Sequence, residues 1–132
     1  SINKYQNIIY LKDSSIELTF ENQKICIYGS PYTPEFFNWA FMLTKETAFE
    51  KWKSIPKNTD ILVTHGPPFN ILDKSKSGHN CGCVSLSEKI QEIKPMIHVF
   101  GHIHETYGIQ VQNGTTFVNA SILNYNYKMS NK

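Results

Sequence analysis

The chain contains no arginine: all thirteen of its basic side chains are lysine, and its formal net charge is only +2. Arginine supplies the planar fork that grips phosphates and guanine edges in pairs of hydrogen bonds. Its absence, with so little excess positive charge, argues against a nucleic-acid footprint. Cysteine is scarce and odd in number (Cys26, Cys81 and Cys83), a pattern unlike a secreted disulfide framework. A reducing, cytoplasmic setting is the expectation. No apolar run approaches the roughly 18 residues of a membrane-spanning helix, so no membrane partner is expected. The chain opens at Ser1 with no signal-peptide pattern, and the expectation is a processed, trimmed or excised chain. Neither a G-x-S-x-G elbow nor a G-x-x-x-x-G-K-[ST] loop occurs, which removes the serine-hydrolase and P-loop readings.

What is present is a 132-residue chain, 40% apolar and 18% charged, the size of one domain or of part of a larger one. Apolar and β-branched clusters predict strands at Ile8–Leu11, Ile16–Phe20 and Lys24–Tyr28. Turn residues from Gly29 to Pro34 then lead into an aromatic knot, Phe36-Phe37-Asn38-Trp39-Ala40-Phe41. The knot has two readings, simple core packing and a face for a partner. Thr44 predicts a helix cap, with the helix running to about Lys53. Ile61-Leu62-Val63-Thr64-His65 is apolar at successive positions, as in a parallel strand buried on both faces. Residues 69–82 have loop composition. A helix follows over Val84–Ile93, capped by Ser85 or Ser87 and ended by Pro95, and then a strand over Met96–Phe100. Two alternating segments, Tyr107–Gln112 and Thr115–Asn119, flank Asn113-Gly114, the strongest short hairpin signal. The tail over residues 126–132 is polar and expected to fray. The order strand–helix–strand–helix–strand–hairpin predicts an α/β fold.

The histidines stand at the breaks. His65 ends one buried strand against Gly66-Pro67-Pro68, and His102 and His104 follow Gly101 at the end of another. Ligand sites in α/β sheets lie at the carboxyl ends of strands, so these three residues are candidates to converge. Neutral imidazole suits zinc, manganese and iron. His102 and His104 share parity, and an extended backbone would point both to one side, with Gly101 free to make the turn. His98, mid-strand, reads as a core histidine. A structural zinc on Cys81, Cys83, His98 and His102 is disfavoured, because one residue separates the cysteines where zinc sites use two to four.

Thr64-His65-Gly66-Pro67-Pro68, followed by Phe100-Gly101-His102-Ile103-His104-Glu105, resembles the C-terminal half of the calcineurin-like metallophosphoesterases. Within them it is most similar to the metallophosphoesterase-domain (MPPED) group. Ile27-Tyr28-Gly29-Ser30-Pro31, Phe37-Asn38-Trp39 and Thr116-Phe117-Val118-Asn119-Ala120-Ser121 extend the resemblance over residues 24–127. It implies a β-sandwich flanked by helices, of which residues 1–132 would be a partial, C-terminal domain ending in a hairpin. It also implies hydrolysis of phosphodiesters, including cyclic nucleotides, by a pair of divalent ions. The ions would be manganese, with zinc or iron as alternatives. His65 and His102 would hold one ion and His104 the other, with Gly66, Gly101 and Asn119 close by. The family's Asp-x-His, Gly-Asp and Gly-Asn-His-Glu motifs have no counterpart here, and the only aspartates are Asp13, Asp60 and Asp73. The expectation is therefore half a site, with no catalytic residue assigned in this chain. It would be completed by a missing N-terminal half or by another chain. The alternative is a non-catalytic interaction or scaffold module of the same fold.

Overall fold

The computed structural model describes residues 7–37 and 39–131. Its centre is a six-stranded mixed sheet. Strands β1 (Ser14–Phe20) and β2 (Gln23–Ser30) form an antiparallel hairpin. Its two-residue turn, Glu21-Asn22, has both φ angles positive, at 47° and 64°, the mirror-image turn that matches strand twist. From β2 the sheet runs parallel through β5 (Ile61–Thr64), β6 (Ile97–Phe100) and β8 (Thr115–Asn119). The antiparallel partner β7 (Gly108–Gln112) closes the far edge. A small parallel pair, β3 (Thr33–Pro34) with β4 (Met42–Leu43), lies outside the sheet.

Two helices cross between the parallel strands, α1 (Lys45–Lys53) before β5 and α2 (Val84–Ile93) before β6. Thr44 caps α1 as predicted, its Oγ1 accepting from the Thr47 amide at 3.3 Å. The cap of α2 differs from the expectation: Cys83 holds the position, with no side-chain hydrogen bond. Ser87, one of the predicted caps, donates its hydroxyl to the Phe69 carbonyl instead. Lys94 ends α2 in the left-handed region, and Pro95 follows.

Both helices pack on the same face of the sheet. Trp52, Ile55, Leu86 and Ile90 join Tyr28, Leu62, Phe100 and Phe117 in one buried cluster. The Trp52 indole donates to Cys83 Sγ at 3.1 Å within it. The register places a different set on the opposite face: Ile16, Leu18 and Phe20, then Ile25 and Ile27, Ile61 and Val63, Ile97 and Val99, Val118, Ile109 and Val111. These side chains are only half-buried or exposed, and Val63 itself is 39% exposed. The prediction that β5 is buried on both faces is thus half right. Its neighbours protect both edges, but only one face is covered.

Three further expectations change. Ile8–Leu11 forms no strand; it finds no paired edge, and Leu11 lies over Gly29 where a Cβ would otherwise sit. The aromatic knot is not core: Phe36, Phe37, Trp39 and Phe41 are all exposed, and the first three stack on one another. Asn38, within it, lies outside the described residues. The tail, expected to fray, turns back on itself. Asn124 Oδ1 accepts from the Asn126 and Lys128 amides, and Asn131 Nδ2 donates to the Ser121 carbonyl at 2.8 Å. The Asn113-Gly114 hairpin forms where predicted, with both turn residues at positive φ.

Candidate metal centre

The four parallel strands end together, so Ser30, Thr64, Phe100 and Asn119 finish along one edge of the sheet. His65 follows β5 directly, and the Gly101 amide donates to its carbonyl at 3.0 Å, tying the ends of β5 and β6 together. The two strand ends thereby bring His65 Nε2 within 3.0 Å of His102 Nδ1, with ring centroids 4.8 Å apart. One ring nitrogen donates to the other. Partial burial lowers both pKa values, and for His102 the neighbouring His65 and His104 lower it further. Two imidazoles held neutral near physiological pH keep lone pairs available for a cation, as ligation requires.

The geometry that aims His102 is not the one parity predicts. The backbone is not extended there: His102 has φ 71°, and His104 begins a single 3-10 turn, His104–Thr106. The positive φ falls on His102 rather than on the neighbouring Gly101. Gly101 serves packing instead, since a Cβ on it would stand 3.3 Å from Ser121 Oγ. Gly66 is a tighter case, because a Cβ there would collide with the Thr33 side chain.

His104 is not drawn into a three-ligand group with this pair among the described residues; it starts the 3-10 turn that follows. Its Nδ1–H donates to the Asn124 carbonyl at 2.9 Å, which fixes the tautomer and leaves Nε2 as the free lone pair. Tyr127 stands edge-on against the ring at 5.6 Å. No local sequence signal pairs His104 with Asn124, twenty residues away. Phe36 was missed in the same way: its ring lies 6.4 Å from that of His102, so the exposed aromatic knot forms a rim beside the histidine pair.

His98 is the core histidine that its mid-strand position predicts, with no exposed surface. The Thr64 hydroxyl donates to the Gly66 carbonyl at 2.7 Å and accepts from His98 Nε2–H at 2.8 Å. Burial pushes the His98 pKa down from 6.5 to about 3.

The donor set fits only part of a divalent site. Among the described residues, no group of three or more His, Cys, Asp or Glu side chains is placed to hold an ion. The aspartates are occupied elsewhere. Asp60 accepts from the Cys26 amide, Asp73 from the Asn70 and Gly82 amides, and Asp13 from the Ser30 hydroxyl and Lys51. Neutral nitrogen ligands alone leave the charge of a hard cation such as manganese unbalanced.

No protein-family model matches the chain. Over 128 residues it is 45% identical to human metallophosphoesterase domain-containing protein 1, covering 95% of this chain and 38% of that protein. The mouse protein of the same name gives the same values. A Caenorhabditis elegans protein is 40% identical over 128 residues, 96% of this chain and 31% of its own length. The chain thus spans well under half the length of these curated relatives. One crystal structure superposes with a TM-score of 0.61 at 18% identity, covering 89% of this chain and 48% of that one. It supports the fold as part of a larger α/β architecture.

Proposed function

We propose a function from one premise: the chain belongs to the metallophosphoesterase family. It is the C-terminal, histidine-bearing portion of a metal-dependent phosphodiesterase. The observation that carries this reading is the convergence of His65 Nε2 and His102 Nδ1 at 3.0 Å where two parallel strands end.

With the proton they share moved to the donor ring's other nitrogen, His65 and His102 hold one divalent ion through those two nitrogens, and His104 holds the other through Nε2. Manganese is the first candidate, and zinc or iron also suit imidazole. When bound, such ions activate water and neutralise charge on the phosphoryl oxygens. The protein's own part is to keep His65 and His102 neutral and to aim the rings. The Asn124 carbonyl orients His104, and the link between β5 and β6 holds His65 against His102.

The balancing carboxylates come from chain outside these 132 residues. The uncovered sheet face supports that view, because the length of the relatives leaves ample chain for a second layer. Leu11 already lies on this face, over Gly29, and is one of the few side chains to cover it. The aromatic rim at Phe36, Phe37 and Trp39 suits a substrate with a planar base, cyclic nucleotides among them.

The test is phosphodiester hydrolysis by the intact protein in manganese. His65→Ala and His102→Ala should each lower the rate at least about 100-fold, more than losing a group that only orients a ligand. Unchanged hydrolysis in either variant would remove the assignment. A second reading, a non-catalytic interaction module, is favoured by the same apolar face. It gains if the intact protein binds no metal yet captures a partner there.

A further inference from the structure

His102 occupies a backbone conformation that costs energy. Its φ is 71°, and the Ile103 amide donates to the Gly101 carbonyl at 2.9 Å, closing a three-residue turn with His102 at its apex. A left-handed turn of this size at a residue with a Cβ is strained and persists only where its surroundings over-determine it. Glycine would adopt it freely, but the chain places glycine one residue earlier.

Asn119, at the end of β8, has no exposed surface. Its Nδ2 donates to the Ile103 carbonyl at 2.8 Å, with the Leu72 carbonyl at 3.2 Å and Thr106 Oγ1 at 3.3 Å also in reach. Its Oδ1 accepts from the Ser121 amide at 3.1 Å. Thr106 Oγ1 in turn donates to the Leu72 carbonyl at 2.6 Å. One buried amide therefore ties the residue after His102, the turn carrying His104 and the loop at Leu72 to the end of β8. The carbonyl it grips most closely belongs to Ile103, the residue that follows the strained one.

We infer that Asn119 is a positioning residue. By holding the Ile103 carbonyl it keeps His102 in its left-handed turn, and so keeps His102 Nδ1 against His65 Nε2. The metal part of this inference rests on the proposed function; the ring geometry does not.

Two readouts on the intact protein test it, both with Asn119→Asp, which keeps the shape and removes the donors. The first needs no metal: nitrogen-15 spectra of the imidazoles. The account expects the paired His65 and His102 resonances to move to values of free, solvated rings, while His98, held by Thr64, keeps its own. A general loosening would move His98 as well, and unmoved His65 and His102 signals would overturn the inference. The second readout is cobalt(II) affinity, expected to fall on the order of 10- to 100-fold, the usual effect of losing a group that orients a ligand. If the rings unpair as expected but the wild-type protein binds no cobalt, the metal reading fails and the positioning role stands. Should Asn119→Asp not fold, the neutral Asn119→Ser replaces it, with the same two expectations.

Discussion

The two faces of the six-stranded sheet are built to different rules. The helix-covered face mixes apolar residues with polar ones that find partners inside. Thr64 joins His98 to the Gly66 carbonyl, Thr115 donates to the Pro95 carbonyl, and Asn119 serves backbone groups on several loops. The opposite face, across the register from β1 to β7, is aliphatic apart from Ser14, Phe20, Gln23, Gly29 and Thr116. It is nevertheless open, with Ile109 and Val111 near 70% exposed (71% and 70%). A sheet that needed one covered side would alternate apolar and polar residues along each strand. The central strands β2, β5 and β6 carry apolar residues on both sides, a pattern written for a sheet between two layers. The difference teaches that one face of the sheet is covered within this chain while the other stays open, and the paired histidines likewise have no carboxylate grouped with them among the described residues.

The sharpest way to break that comparison uses two adjacent residues of β5. Leu62 has no exposed surface and points to the helices, whereas Val63 points to the open face. In the 132-residue chain, Leu62→Ala should cost about 2–5 kcal/mol. Val63→Ala should cost less than about 1 kcal/mol there, as expected at a partly exposed site. In the intact protein the two costs should converge as the second face becomes covered. Denaturant unfolding reads both, and an unchanged gap in the intact protein would show that nothing covers Val63.

His98 makes the helix-covered face sensitive to acid. Its folded-state pKa, about 3, lies below the ordinary 6.5, so the unfolded chain takes up the proton first. Its contribution to stability is complete above about pH 6.5 and is lost as pH falls from there towards 3, at about 1.4 kcal/mol per pH unit. His98→Gln, which keeps a donor for Thr64 and cannot titrate, should flatten this limb in an unfolding series against pH. An unchanged slope would place the acid sensitivity in another group.

The smallest expected effect is at the aromatic rim, which belongs to neither face of the sheet. Trp39→Ala should leave the melting temperature within about 2 °C, as suits an exposed residue. It should raise KM for a cyclic nucleotide a few-fold with kcat unchanged, the signature of lost uniform binding. A fall in kcat alone would remove the rim from substrate binding.

Much of this was legible in sequence, for physical reasons that particular residues show. The Thr44 cap, the Asn113-Gly114 turn and the apolar run ending at His65 are local signals, and each element formed where its signal lay. His98 was readable as core because it falls mid-strand between apolar neighbours. The failures were contacts distant in sequence. Whether Ile8–Leu11 becomes a strand depends on finding an edge, and whether Phe36–Phe41 is buried depends on which surface it meets. The α2 cap went to Cys83 because Ser87 had a distant carbonyl to serve. The site itself was half legible. The convergence of His65 and His102 follows from strand ends, but the strained turn at His102 and the orienting roles of Asn119 and Asn124 arise only from the folded loops.

The central claim is that these histidines are one half of a two-ion centre. The most direct measurement is metal stoichiometry by elemental analysis after equilibration with manganese, on the 132-residue chain and on the intact protein. The account predicts at most one weakly held ion on the 132-residue chain and two on the intact protein. Two tightly held ions on the 132-residue chain, or none on the intact protein, would contradict it.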